Sequence, residues 1–211
     1  MVRYPLSTLA VVACLLAALA TVASSSSPAA TPIRVTFVGD SVSASISYST
    51  IAKKQLSRGL AVRLDVEVCR RLVQPSCTFQ GTTPTTALQA VESYGRSLGQ
   101  VLVVKVGYNE DGRGYGAGID RVMRAAIRNG AAGVVWVTLR EAGQYASLYR
   151  RTNAAIRNAA KRWPQMVVAD WNARSAGKPW FGSDGLHLSA RGAAELAKFL
   201  RPSVFRAASL G

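Results

Sequence analysis

The sequence contains one histidine, His187, and an aspartate lies three residues before it, at Asp184, in the stretch GSDGLHLSARG. Imidazole exchanges a proton near neutral pH without any shift of its pKa. In a turn that leads into a helix, residues three apart can approach each other. The carboxylate could then hold one ring nitrogen and leave the other free to accept a proton from a serine. The alternative interpretation is a surface aspartate beside an incidental histidine.

Two further stretches carry residues suited to acyl transfer. GDS at 39–41 supplies the hydroxyl of Ser41 just before a predicted helix, where backbone N–H groups favour an oxyanion. GYN at 107–109 supplies a side-chain amide that can donate to a developing oxyanion. Each stretch also has an ordinary interpretation, because Asp and Ser cap helices and Gly and Asn form turns. Together with Asp184 and His187, they provide a nucleophile, a base, an orienting carboxylate and oxyanion donors.

Buried strands alternate with amphipathic helices from residue 32 onward. Short β-branched runs predict strands at 33–39, 60–69, 100–107, 133–139 and 165–171. Apolar residues at helical spacing predict helices at 43–59, 83–99, 119–131, 145–164 and 188–203. The Gly-rich or Pro-rich segments at 69–83, 108–118 and 172–187 are predicted to be loops.

Strands that alternate with helices predict βαβ crossovers and a mostly parallel, five-stranded sheet covered by helices on both faces. We therefore predict a three-layer α/β/α sandwich that forms one domain over 33–205, followed by a short tail at 206–211. Ligands of such open sheets bind beyond the carboxyl ends of the strands. The three stretches with chemistry follow the first, third and fifth predicted strands, so we expect them at one edge of the sheet.

GDS after the first strand, GxN after the third and DxxH near the C-terminus resemble the motifs of the SGNH hydrolase superfamily, also called GDSL esterases. The similarity spans roughly 33–200. It implies a flavodoxin-like fold and acyl transfer in two steps, with Ser41 as the nucleophile and His187 as the general base. Asp184 would steady the imidazolium, and the Ser41 N–H and Asn109 would donate to the oxyanion.

The sequence departs from the family pattern in two places. Glu110 stands where the family usually has the aspartate of GxND, a position without a catalytic role. The family also has a glycine in its second block whose N–H helps to bind the oxyanion, and the resemblance assigns this role to Gly81. The intervening cysteine loop leaves Arg70 or Arg71 as the alternative on that side of the site.

Other residues beside these motifs are expected to contact substrate. The resemblance implies such contacts for Asp40, Gly107 and Tyr108. Trp171, at the end of the fifth predicted strand, and Trp180, in the loop after it, also lie near the proposed site. Their rings could stack on sugar, and the alternative is a place in the hydrophobic core.

The first residues have the layout of a secretory signal peptide. One charge, Arg3, precedes an apolar run at 9–20, and small residues follow where a signal peptidase would cut. We predict a signal peptide at 1–23, a flexible linker at 24–32, and a protein that is secreted or associated with the cell wall. An uncleaved anchor and lipidation at Cys14 are the alternatives.

The predicted export of the chain bears on whether its remaining cysteines are oxidised. Cys69 and Cys77 remain after removal of the signal, and in an exported chain they favour a disulfide that closes a small loop. The alternative is two buried free thiols. One histidine without a cysteine cluster argues against zinc, and no metal or cofactor is expected.

The charge is strongly positive. The 211 residues include 26 Lys and Arg against 11 Asp and Glu, a formal net charge of +15. This implies attraction to nucleic acid, acidic lipid or an acidic wall polymer. An Arg-rich proteome encoded by a GC-rich genome, with arginine on solvated helix faces, explains the charge equally well. Export and the lack of a basic-aromatic recognition motif argue against nucleic acid.

The resemblance implies a secreted serine esterase that cleaves short, acetyl-like esters on a carbohydrate. The alternatives are an O-acyltransferase that acts on cell-wall polysaccharide and a catalytically silent wall-binding module of the same fold. We expect a monomer without stable membrane insertion once the signal is removed. Its expected partners are an acylated small molecule or polysaccharide and an anionic wall polymer.

Overall fold

The computed structural model describes residues 31–211, in which strands and helices alternate as predicted. The strands are β1 (Ile33–Gly39), β2 (Leu60–Val66), β3 (Val101–Lys105), β4 (Gly133–Val137) and β5 (Met166–Ala169). The helices are α1 (Ser41–Tyr48), α2 (Thr50–Leu56), α3 (Ala87–Tyr94), α4 (Tyr115–Arg128), α5 (Ala146–Ala160), α6 (Trp171–Ser175) and α7 (Ala190–Ala208), with a 3₁₀ helix at Gly95–Leu98. The predicted signal peptide and nearly all of the linker lie outside the described residues.

The sheet confirms the predicted parallel arrangement. Its five strands have the order β2-β1-β3-β4-β5, and every pairing is parallel. The chain winds outward in one direction from β1 to β2 and in the other from β3 to β5. Such a change of direction opens a crevice at the carboxyl ends of the two strands that flank it. The GDS and GYN stretches follow these two strands, β1 and β3.

Helices cover both faces of the sheet and confirm the three predicted layers. On β3, Val101 and Val103 pack into one hydrophobic cluster with α1, α2 and α7. Leu102 and Val104 face the other side and pack with α3, α4 and α5. All five residues of β3 are buried, as expected for a central parallel strand. None of the helices in 31–211 is long and apolar enough to cross a bilayer.

The segment predicted as one helix at 43–59 forms two helices. Ser49 has extended backbone angles, φ −105° and ψ 110°, and separates α1 from α2. Its hydroxyl accepts a hydrogen bond from the Ala52 N–H at 3.2 Å and caps α2. The spacing of apolar residues did not predict this break. A serine side chain can bond to a nearby backbone N–H and start a new helix, and apolar spacing carries no sign of this.

The C-terminal part differs from the prediction in two elements. The short helix α6 lies where a loop was predicted, and the Asp170 carboxylate caps it through the Ala173 N–H. Helix α7 continues past the predicted end to Ala208, so the first half of the predicted tail at 206–211 is helical. Trp171 and Trp180 are buried and stacked with ring centroids 5.5 Å apart, which places them in the core and not at a sugar.

Candidate active site

Ser41 is the first residue of α1. Asp40 caps this helix, because its Oδ1 accepts a hydrogen bond from the Val42 N–H at 3.2 Å. Glycine is required at position 39, since a Cβ on Gly39 would lie 2.7 Å from Ser43 Cβ. The Ser41 N–H donates no hydrogen bond within the described chain and lies at the positive end of the helix. The hydroxyl and this N–H are therefore both available to an ester.

The Asp40 carboxylate joins the loop after β1 to the loop after β3. Its Oδ2 accepts hydrogen bonds from the Gly107 N–H at 3.1 Å and the Tyr108 N–H at 3.2 Å. Asp40 is fully buried, so the predicted contact with substrate is wrong and Asp40 is a positioning residue. Gly107 is also buried and supports the site, whereas Tyr108, although only 8% exposed, forms part of the wall of a cleft beside Asn109.

The structure brings the side chains of Ser41, His187 and Asp184 together in one chain of contacts. His187 Nε2 lies 3.2 Å from Ser41 Oγ, and His187 Nδ1 lies 2.6 Å from Asp184 Oδ2. Asp184 Oδ1 accepts hydrogen bonds from the N–H groups of Leu186 at 2.9 Å and His187 at 3.0 Å. The Leu186 N–H, followed by the His187 ring, lowers the pKa of Asp184, so the carboxylate is ionised at neutral pH.

The loop that carries Asp184 and His187 is held by Arg140, a residue that sequence reasoning missed. The Arg140 guanidinium donates a hydrogen bond to the Gly185 carbonyl and lies 3.7 Å from the centroid of the Phe181 ring. The Arg140 backbone N–H donates to the Tyr108 hydroxyl at 2.7 Å. Arg140 lies just after β4, at the same edge of the sheet as the other site residues, and this position could have marked it as a candidate.

Asn109 contacts the second block through Arg70 and not through Gly81. Its Nδ2 donates a hydrogen bond to the Arg70 carbonyl at 3.3 Å. Gly81 is exposed in a tight turn and makes no hydrogen bond to Ser41, Asn109 or His187. The predicted disulfide between Cys69 and Cys77 is present and closes the loop that begins beside Arg70.

The backbone of this second block has an unusual conformation. Cys69 has a φ of 68°, in the region that favours glycine. Its N–H donates no hydrogen bond within residues 31–211. The Arg70 guanidinium is buried and holds the segment, because it pairs with Asp65 at 2.8 Å and donates to the Thr85 carbonyl at 3.0 Å. A strained backbone with an unused N–H, held rigidly beside Asn109, is a common property of functional sites.

Lys105 is a buried cation close to the site. Its Nζ is fully buried, has no hydrogen-bond partner among the described residues and lies 4.6 Å from the centroid of the Tyr108 ring. Burial lowers the pKa of Lys105 to about 8, against the opposing attraction of Asp40. Burial likewise raises the pKa of Asp40, although Lys105 and three backbone N–H groups oppose this shift. The cation therefore supports the Asp40 carboxylate that joins the two loops.

We expect the stability of the parent to increase relative to Lys105→Met as the pH rises from about 8 toward 10.5. In this window the unfolded chain binds a proton on Lys105 that the folded chain has released. The free energy of unfolding of the parent therefore gains up to about 1.4 kcal/mol per pH unit. Urea unfolding of both chains at several pH values measures the difference in their free energies of unfolding. Lys161→Met, at an exposed lysine, is the control and should show the same pH dependence as the parent. Parallel pH dependences of the parent and Lys105→Met would contradict the expectation.

Within residues 31–211, no group of three or more His, Cys, Asp or Glu side chains is arranged to hold a metal ion. A hydroxyl, an imidazole and a carboxylate in hydrogen-bond contact, next to unused N–H donors, are suited to acyl transfer.

Comparisons with known proteins identify the fold. The sequence matches no protein-family model and no curated protein. Among solved structures, the C-terminal catalytic domain of peptidoglycan O-acetyltransferase A from Streptococcus pneumoniae superposes with a TM-score of 0.62 at 18% identity. The match covers 84% of this chain and 95% of that chain.

Two further solved structures are similar over nearly their whole length. A carbohydrate acetylesterase family member from Sinorhizobium meliloti has a TM-score of 0.60 at 14% identity and covers 84% of this chain and 100% of its own. The esterase EstA from Pseudoalteromonas has a TM-score of 0.58 at 11% identity and covers 82% of this chain and 96% of its own. The chain therefore shares the α/β fold of these solved structures, and the predicted fold is confirmed.

Proposed function

We propose that the chain is a serine esterase that cleaves short acyl esters through a covalent acyl-enzyme. The observation that carries this proposal is the continuous contact from Ser41 Oγ to His187 Nε2 and from His187 Nδ1 to Asp184 Oδ2. These residues lie at the start of a helix and at the carboxyl edge of a parallel sheet, where a site is expected.

The geometry supports a specific sequence of proton transfers. His187 Nε2 accepts the Ser41 proton while Oγ attacks the ester carbonyl carbon, and the carbonyl π electrons move to oxygen. Asp184 stabilises the imidazolium that forms. When the tetrahedral intermediate collapses, His187 returns this proton to the leaving alcohol. Water then attacks the acyl-serine with His187 as the base, and the acid leaves as Ser41 regains its proton.

Three donors are proposed to bind the oxyanion. The Ser41 N–H is unused at a helix N-terminus, and Asn109 presents a side-chain amide at the end of β3. For the second block we assign the Cys69 N–H in place of Gly81. This choice is supported by the φ of 68° and by the neighbouring Arg70 carbonyl, which accepts the Asn109 hydrogen bond.

We infer that the ester belongs to a carbohydrate at or outside the cell surface. The side chains of His187 and Asp184 are 47% and 50% exposed, so the reacting centre is open enough for a bulky polymer. The solved neighbours include a carbohydrate acetylesterase and a peptidoglycan O-acetyltransferase. The disulfide is typical of a chain that works in an oxidising compartment.

An O-acyltransferase is the second candidate function, because it uses the same acyl-serine and differs only in the acceptor. The open reacting centre favours it, since a sugar hydroxyl can reach an exposed acyl-serine as readily as water. In that case the acyl group passes to the hydroxyl of a wall polysaccharide, and His187 removes the proton of this hydroxyl.

Hydrolysis of p-nitrophenyl acetate by the mature chain tests the proposal, with Ser41→Ala as the comparison. We expect turnover by the parent and none above background by Ser41→Ala. If the parent is a transferase that excludes water, it will not hydrolyse the ester, but a fluorophosphonate should still label it on Ser41. A folded parent that neither hydrolyses the ester nor reacts with the phosphonate would identify a catalytically silent binding module.

A further inference from the structure

A cleft of about 340 Å³ opens directly beside Asn109. Arg71, Tyr108, Glu110 and Tyr145 contribute to its lining. Asn109, a proposed oxyanion donor, is part of this lining, so the cleft borders the proposed oxyanion site. The cleft is therefore placed to receive the part of the substrate that adjoins the ester.

Arg71 supplies the positive charge in the lining of this cleft. No carboxylate of the described residues contacts its guanidinium directly. Its Nε is buried without a hydrogen-bond partner, and its guanidinium forms no ion pair within the part of the chain that the structure describes. A buried donor of this kind calls for an acceptor. The backbone of Arg71 is held without help from its side chain, because the Arg71 N–H donates a hydrogen bond to Ser76 Oγ at 3.2 Å.

The two nearest carboxylates have other partners. Glu110 is buried, and its Oε1 accepts the Leu72 N–H at 2.6 Å. Burial raises the pKa of Glu110, although the Leu72 N–H and the charge of Arg71 oppose this shift. Asp111 is paired with the Arg113 guanidinium at 2.9 Å. Arg71 attracts both carboxylates from a distance, but neither forms an ion pair with its guanidinium, so its donors remain available to an anion from outside the chain.

Tyr145 provides an apolar surface at the rim of the same cleft. Its side chain is 54% exposed, although its ring lies 6.3 Å from the ring of Tyr149. An exposed aromatic ring that is fixed by a second ring is a suitable surface for the C–H face of a sugar. A guanidinium and an aromatic ring in one cleft thus match a ring-shaped ligand with an anionic substituent.

We propose that the alcohol part of the ester is an acidic saccharide, whose carboxylate or phosphate oxygens bind the Arg71 guanidinium while the sugar ring packs against Tyr145. This inference rests on the proposed esterase function and specifies its substrate class. The planar guanidinium fork matches both oxyanions in a bidentate way. The net charge of +15 attracts acidic polymers over a longer range and brings them to the site.

Binding to the Ser41→Ala chain tests the substrate class without turnover. The probes are an O-acetylated methyl glucuronoside, an O-acetylated glucose 6-phosphate and the neutral O-acetylated methyl glucoside. We expect at least one acidic sugar to bind about 10-fold or more tightly than the neutral one, as a charge-assisted pair predicts. Adding Arg71→Gln should remove this ratio, whereas Arg151→Gln removes an equal charge from an exposed arginine on α5 and should preserve it. Tyr145→Ala should weaken the binding of all three sugars to a similar extent.

The outcomes separate this inference from the proposed function. Equal affinity of Ser41→Ala for acidic and neutral sugars would overturn the substrate class, even if the parent hydrolyses p-nitrophenyl acetate. A preference that survives Arg71→Gln would also overturn it. Selective binding of the glucuronoside or of the phosphate identifies the anionic group. A parent that lacks esterase activity but binds acidic sugars through Arg71 would contradict only the proposed reaction.

Discussion

Replacement of Asp184 by asparagine is expected to lower kcat for ester hydrolysis by about 10⁴-fold. The carboxylate accepts a hydrogen bond from His187 Nδ1, which leaves Nε2 without a proton and able to accept one from Ser41 Oγ. An amide group that donates to Nδ1 imposes the opposite tautomer, with the proton on Nε2. The base then points at the nucleophile in the wrong protonation state.

The loop should keep its shape in this variant. The amide that replaces the carboxylate retains an oxygen for the N–H groups of Leu186 and His187, which both bind Oδ1 of Asp184 in the parent. Arg140 continues to hold the loop through Gly185 and Phe181. The loss should therefore appear in kcat, with an unchanged circular dichroism spectrum.

Asp120→Asn is a matched control for the charge. Asp120 also accepts side-chain hydrogen bonds, from Arg162 and Trp163, but it lies on α4, a helix that contributes no residue to the site. We expect its kcat to stay within about twofold of the parent, as for surface substitutions in general. The wrong tautomer should lower kcat by about 10⁴-fold. If Asp184→Asn lowers kcat by only about 10-fold, Asp184 does not orient the imidazole.

Replacement of Asn109 by alanine is expected to lower kcat by about 10²–10³-fold with a smaller change in KM. The Asn109 amide lies at the end of β3, and its Nδ2 donates to the Arg70 carbonyl in the free protein. A donor that strengthens its bond only as charge develops on the carbonyl oxygen stabilises the transition state more than bound substrate. The loss should therefore fall on kcat.

A boronic acid that adds to Ser41 distinguishes oxyanion binding from a merely structural role. Its tetrahedral adduct carries negative charge where the intermediate does, so its affinity should fall in proportion to kcat in Asn109→Ala. Asn158→Ala, an exposed asparagine on α5, is the control and should change neither quantity. Unchanged boronate affinity in Asn109→Ala would remove Asn109 from the oxyanion site.

The sequence predicted the sheet and the edge at which Ser41, His187 and Asp184 meet, because both depend on strong local signals. Strand β3 is a continuous apolar run, and a central parallel strand is buried on both faces. The GDS and DxxH stretches follow strands whose carboxyl ends meet at one edge, so the contact between Ser41 and His187 follows from topology.

Features that depend on long-range contacts could not be predicted in this way. The roles of Asp40 and Arg140 arise from partners in distant loops, and neither residue has a spacing that reveals those partners. Glycine at position 81 looked suitable for an oxyanion donor, yet the Asn109 amide contacts the carbonyl of Arg70, the residue after Cys69, and Gly81 lies exposed in a turn. Lys105 appeared to be an ordinary strand residue, and only burial shows its coupling to Asp40.

The hydrogen bonds of Asp40 also have a consequence for how activity appears during folding. They join residues 67 and 68 positions apart in the sequence, and the contact between Ser41 and His187 spans 146 positions. Closing such long loops is slow and costs chain entropy, whereas helices form locally and early. The reacting groups therefore meet only when the whole sheet has been assembled. Recovery of activity in a refolding chain follows this late assembly and not the earlier gain of helical structure.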